Sequence, residues 1–184
     1  LAVRLTSKGP VLYWSDRVGR GNVIFKMPKF RTMKVNTPAL PTHLMSNPEV
    51  FLSPIGKFLR RASLDELPQL FSVLKGDMSL VGPRPNVEDE ARLYTKDEQH
   101  LLDVRPGITD IASIVFADES DILKGCDNPD LTYNQLIRPW ISRFGLLYVK
   151  HASFWLDVKL ILITALAVVC RRCSLFRVGR VVAV

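Results

Sequence analysis

The chain has 184 residues, 47% of them hydrophobic, which is enough to bury a core and short enough to favour a single domain over residues 1–184. Its 25 Lys and Arg against 18 Asp and Glu leave +7, a balance suited to a polyanionic partner, but the cations fall in small groups (Lys29/Arg31/Lys34, Arg60/Arg61, Arg171/Arg172), which argues against nucleic acid. Three cysteines exclude a disulfide framework, and the Cys170/Cys173 pair with three scattered histidines falls short of the about four ligands of a structural zinc site.

Leu1 to Leu5 reads like the end of an apolar segment, which points to a membrane element ahead of residue 1. Val11–Trp14 and Val23–Phe25 are two β-prone runs around Gly19-Arg20-Gly21-Asn22 and predict a hairpin. Phe51, Ile55, Phe58 and Leu59 have the spacing of one face of a short helix ending at Arg60 and Arg61. The next helix carries Leu67, Leu70, Phe71 and Leu74 and stops at Lys75-Gly76.

The start of that helix holds an acidic pair. Ser63-Leu64-Asp65-Glu66 has the form of a capping box, yet a helix capped by Ser63 would place Pro68 past its first turn, where the ring clashes and the N–H is missed. The helix is therefore expected to begin near Asp65, putting Asp65 and Glu66 at a helix N-terminus with its positive dipole end. Gly82-Pro83-Arg84-Pro85 presents one arginine between two fixed φ angles. Asn86 is expected to open a helix running toward Leu102, and Arg105-Pro106-Gly107-Ile108 a type II turn.

Helices over Trp140–Lys150 and Ser153–Cys170 close the chain, and their aromatic and apolar residues (Trp140, Phe144, Tyr148, Phe154, Trp155, Leu156) read first as core, with membrane-interface anchoring as the alternative. The apolar run Leu160–Cys170 is about half the ~20 residues of a spanning helix. Arg171, Arg172, Arg177 and Arg180 beyond it suit anionic headgroups. The fold class expected is α+β, mainly helical, with an N-terminal β-hairpin, a compact helical domain and association with a membrane interface.

Five blocks in order carry a resemblance. Lys8-Gly9-Pro10-Val11-Leu12 with Arg17-Val18-Gly19, Lys29-Phe30-Arg31-Thr32-Met33, Ser63 through Leu70, Leu74 through Pro85 and Arg105-Pro106-Gly107-Ile108-Thr109 resemble the bacterial sugar transferases, the monotopic phosphoglycosyl transferases that begin lipid-linked glycan assembly. Asp157-Val158-Lys159-Leu160 resembles the family's closing helix, whereas Asp110-Ile111-Ala112-Ser113 departs from the family's Gly-Trp-Ala-Gln type run.

The resemblance implies transfer of a sugar 1-phosphate from a UDP-sugar to polyprenyl (undecaprenyl) phosphate at the cytosolic face of the bacterial inner membrane, with release of UMP. It further implies Asp65 as the nucleophile that carries the phosphosugar and Glu66 as the ligand of Mg²⁺. A carboxylate can serve as such a nucleophile, and magnesium is usually held by one or two carboxylates plus substrate phosphates. By pattern alone, Asp65 and Glu66 are equally first-turn residues favouring a helix start.

Arg84 matches a family arginine of the nucleotide-sugar site, with Pro83 and Pro85 as its scaffold, and a guanidinium can grip phosphate through two parallel hydrogen bonds. Arg105 matches similarly, or pairs with a nearby acid. Lys29 and Arg31 suit a phosphate of either substrate, or form a solvated strand edge. The rival reading of the whole chain is a membrane-surface scaffold that keeps the fold without the reaction.

Overall fold

The computed structural model describes residues 2–38, 45, 48–117, 122–123, 126 and 128–169. Helix α1 (Ala2–Thr6) leads into an antiparallel hairpin of β1 (Leu12–Val18) and β2 (Ile24–Phe30), in register from Leu12 opposite Phe30 to Val18 opposite Ile24. The hairpin expected from two short apolar runs is thus present, but its strands are longer. Asp16, Arg17 and Lys26 continue the ladder, with Lys26 and Asp16 forming a cross-strand pair at 3.5 Å. Gly21 and Asn22 take positive φ in the connecting turn, as their residue types allow.

Helix α2 (Gly56–Arg61) ends at Arg61 as expected, although Phe51 lies before it in a separate 3-10 turn. Helix α3 (Gln69–Lys75) begins after Pro68 and stops at Gly76, whose φ of 91° is the left-handed value glycine takes without a Cβ penalty. The expected start near Asp65 is corrected: residues Leu64–Glu66 form a 3-10 turn of their own before Pro68. Proline at the helix entrance keeps the dipole argument from reaching the acidic pair, because the α-helix proper starts three residues beyond Glu66.

Strand β3 (Ser79–Val81) lies parallel to β4 (Gly107–Thr109), pairing Ser79 with Gly107 and Val81 with Thr109. This corrects the type II turn expected at Arg105–Ile108. Gly82 and Gly107 are needed for close passage of two backbones: a Cβ on Gly107 would collide with the Gly82 backbone nitrogen, and one on Gly82 would lie 2.5 Å from the Arg105 carbonyl oxygen.

The single helix expected from Asn86 to Leu102 is also corrected. Helix α4 covers only Glu88–Ala91, and a new 3-10 turn spans Glu98–Asp103. The break is a reciprocal cap: the Thr95 N–H donates to Glu98 Oε2 and the Glu98 N–H donates to Thr95 Oγ1. The chain continues through α5 (Ile111–Val115), α6 (Pro129–Thr132) with a π-turn over Tyr133–Ile137, α7 (Arg138–His151) and α8 (Phe154–Val169).

Three buried clusters hold these elements. Phe25, Met27 and Met78 join the hairpin to the end of α3; Val81, Tyr148 and Leu160 pack α7 and α8 on β3; Ala112, Phe116, Leu123 and Ile137 join α5 to α7. Tyr148 is core as expected, but Phe154 and Trp155 are 72% and 71% exposed, which corrects the core reading for both. Helix α3 is inverted: Gln69 and Ser72 are buried while Leu70, Phe71 and Leu74 face outward. No helix among the described residues is long and apolar enough to cross a membrane. The Cys170/Cys173 pair and the arginines from 171 onward lie outside the described residues.

Candidate active site

The 3-10 turn that carries Asp65 and Glu66 follows Ser63, a non-glycine residue at φ 54°. A left-handed serine is a strained position that a surrounding structure must enforce, and such positions concentrate at functional sites. The turn packs against β2, which brings Lys29 to Glu66: Lys29 Nζ donates to Glu66 Oε1 at 2.8 Å, both side chains being only about one-fifth exposed (19% and 20%). Arg84, exposed at the tip of its proline-flanked loop, donates from Nη2 to the same oxygen at 3.3 Å. Pro83 and Pro85 on either side of it are buried, so the loop is anchored at both flanks and presents its cation outward.

The two carboxylates therefore differ in state. Burial alone would push Glu66 up, but Arg84 and Lys29 together outweigh it and hold the group below its ordinary 4.5, firmly ionised. Asp65 is shifted the other way, above its ordinary 3.8, first by burial and then by the charge of Glu66, with Lys29 and Arg60 opposing. Among the described residues Asp65 makes no ion pair and no side-chain hydrogen bond to another residue's side chain. One carboxylate is committed to two cations; its neighbour is poorly solvated and uncommitted, the state a nucleophile or base needs.

Two further cations border the pair that sequence reading did not assign to the site. Arg60 donates from Nε to Thr32 Oγ1 at 2.9 Å and is electrostatically coupled to Asp65. Arg17 on β1 donates to the Pro85 carbonyl at 3.2 Å and feels both Arg84 and Glu66. Arg60 lies five residues before Asp65, on the last turn of α2, and Arg17 belongs to the Arg17-Val18-Gly19 block; those positions were the only signals available.

The structure does not bring Arg31 to the site. It is 7% exposed, and its guanidinium donates to the carbonyls of Pro10, Met33, Ser7 and Lys8 and to Ser7 Oγ, at 2.7–3.1 Å. Five acceptors use the whole fork, so Arg31 pins the N-terminal segment to the end of β2 and its assignment to a phosphate is corrected on that ground. Arg105 is exposed near Gly76, at the far end of α3, and among the described residues makes no hydrogen bond to Asp65 or Glu66.

The donor set is two adjacent carboxylates beside several cations. Among the described residues no group of three or more His, Cys, Asp or Glu side chains is arranged to hold a metal ion. Glu66, beside Asp65, thus offers a cation hard oxygen ligands in small number, which fits magnesium, an ion that keeps waters and takes substrate phosphates as ligands, and does not fit a zinc site.

A family model described as bacterial sugar transferase matches residues 1–171. The chain is 35% identical over 179 residues to an undecaprenyl-phosphate galactose phosphotransferase of Salmonella typhimurium, covering 89% of this chain and 34% of that protein. It is 36% identical over 167 residues to a UDP-glucose:undecaprenyl-phosphate glucose-1-phosphate transferase of Klebsiella pneumoniae (89% of this chain, 33% of that protein). It is also 33% identical over 164 residues to a UDP-N-acetylgalactosamine-undecaprenyl-phosphate N-acetylgalactosaminephosphotransferase of Aeromonas hydrophila (86% and 35%). The chain spans about a third of the length of the curated relatives it matches (34%, 33% and 35% in these three).

Proposed function

The chain belongs to the bacterial sugar transferase family, and from that premise we propose that it moves a sugar 1-phosphate from a UDP-sugar to polyprenyl phosphate, with Asp65 as nucleophile. The observation that carries this reading is the division of labour between neighbours: Glu66 is held by Lys29 and Arg84, while Asp65 is desolvated and uncommitted.

In the first displacement an Asp65 oxygen attacks the β-phosphorus of the donor. The bond from that phosphorus to the bridging oxygen breaks, its electron pair leaves with UMP, and the sugar phosphate stays on Asp65 as an acyl phosphate. In the second, a phosphate oxygen of the lipid attacks the same phosphorus, the bond to Asp65 breaks, and the carboxylate is restored. Arg84, half exposed at 50%, is placed to exchange part of its contact with Glu66 for a donor phosphate. Lys29 and Arg60 offset the repulsion between an anionic nucleophile and a diphosphate. Glu66 would hold Mg²⁺, which when bound supplies charge neutralisation of the diphosphate.

An acceptor of this class resides in a bilayer, and the outward apolar faces of α3 (Phe71, Leu74) and α8 (Leu162, Leu166), with Phe154 and Trp155, fit a membrane interface on the cytosolic side. Intact mass after incubation with Mg²⁺ and a panel of UDP-sugars, without lipid, tests the reading. A sugar-phosphate adduct on wild type and none on Asp65→Asn is the expected result; an adduct on the folded variant would remove Asp65 from the role.

A further inference from the structure

The loop that presents Arg84 is fastened at almost every flanking carbonyl. The Gly107 N–H donates to the Pro83 carbonyl at 3.0 Å, and the Val18 N–H donates to the Asn86 carbonyl at 2.9 Å. Between them, Arg17 Nη1 donates to the Pro85 carbonyl at 3.2 Å, while its Nε donates to Ser15 Oγ at 3.1 Å. Successive residues of β1, Arg17 and Val18, thus hold the successive carbonyls that follow Arg84.

Arg17 is an unusual choice for this task. A neutral donor would hold a carbonyl equally well, whereas Arg17 brings a half-buried positive charge close to Arg84; among the described residues it forms no ion pair, and Glu90 and Glu66 offset that charge only from a distance. Two like charges directed at one loop are a local conflict, and conflicts of this kind persist where an anion is to be received. The planar fork explains why arginine serves: one edge bonds along its own strand and the other reaches the loop, so the direction of the guanidinium is fixed.

We infer that Arg17 is a positioning residue for the donor diphosphate: by holding the Pro85 carbonyl against β1 it sets Arg84 over the acidic pair. The inference rests on the reading of this site as one for a UDP-sugar, and it concerns how Arg84 is oriented rather than the covalent step. Arg17 acts through Arg84, so the two substitutions should not add.

The test is a cycle of Arg17→Met, Arg84→Met and the double variant in the full-length protein in detergent, read by calorimetric UDP binding and by the KM values for UDP-sugar and undecaprenyl phosphate. Arg20→Met, on the exposed hairpin turn, controls for net charge. Arg17→Met is expected to weaken UDP binding and raise the donor KM about ten- to hundredfold, as for loss of a charge-assisted hydrogen bond, with the acceptor KM within about twofold. The double variant should bind UDP no more weakly than Arg84→Met alone. If Arg17→Met melts too early to assay, Arg17→Gln, whose shorter, neutral side chain falls short of the Pro85 carbonyl, replaces it in the same cycle.

Unchanged UDP affinity in the Arg17 variant, or losses that add in the double variant, would overturn the inference; so would wild type that does not bind UDP. Wild type that binds UDP but transfers no sugar phosphate from any donor would instead overturn the catalytic reading, and the binding cycle would still decide the role of Arg17.

Discussion

Lys29 and Glu66, separated by 37 positions in the chain, meet at 2.8 Å with both side chains largely out of water. That contact joins the hairpin to the turn carrying the acidic pair, and it decides which of two adjacent carboxylates is left uncommitted. Breaking a partly buried pair from one side strands the other charge, which costs more than the pair itself contributes. Lys29→Met is expected to lower stability by about 1–3 kcal/mol in urea unfolding, and Lys29→Met with Glu66→Gln by less than the sum of the single losses. The Arg84–Glu66 contact, half exposed at Arg84, should show a coupling below about 1 kcal/mol in the same experiment.

Asp65→Asn separates activity from stability. Loss of the nucleophile should cut turnover about ten-thousandfold or more. The folded-state pKa of Asp65 is raised, so its contribution to stability is complete below its ordinary 3.8 and is lost as pH rises through the folded value. The asparagine variant should therefore melt higher than wild type at pH 7, and the difference should shrink toward pH 3. A lower melting temperature at pH 7 would mean that the Asp65 charge is stabilised in a way this geometry does not contain.

Glu66 has the opposite sign. Its folded-state pKa lies below its ordinary 4.5, so its contribution is complete above that value and disappears as pH falls through the folded one. Glu66→Gln should be less stable than wild type at pH 7 and converge with it in acid. Parallel melting curves of the two variants from pH 7 to pH 3 check both signs at once.

Gly107→Ala tests the crossing of β3 and β4. Its Cβ would collide with the Gly82 backbone nitrogen, so the strands must part and the Arg84 loop must shift. A loss of about 2 kcal/mol or more is expected, with a raised donor KM in the molecules that still fold. Gly21→Ala is a useful contrast, since a Cβ there meets nothing within 4 Å and only the positive φ penalises it.

Phe71 and Leu74 are 74% and 84% exposed, so replacing both with serine should change stability by less than about 0.5 kcal/mol each. If α3 faces the bilayer, the double variant should sediment less with vesicles of anionic and neutral phospholipid, while its fold is untouched. Undiminished sedimentation would direct attention to α8 instead.

Much of the site was legible because it is local. Asp65 and Glu66 are adjacent, Arg84 is bracketed by prolines whose φ angles are fixed by their rings, and Gly76 stops α3 through its own backbone freedom. The break in the expected helix after Asn86 is also written locally, as the Thr95–Glu98 cap, whose spacing outweighs the acidic start at Glu88.

What only the tertiary structure decided is which charges meet. Lys29 and Arg31 are two apart and would share a strand face, yet β2 ends at Phe30, so Lys29 reaches Glu66 while Arg31 turns inward to the carbonyls of Ser7, Lys8 and Pro10. Likewise the spacing of Leu67, Leu70, Phe71 and Leu74 defines a helix face, but not that this face points outward and Gln69 and Ser72 inward. Spacing along a chain fixes periodicity and local backbone geometry; the direction a face takes, and the partner a charge finds, depend on which distant segments pack against it and on how much water they exclude.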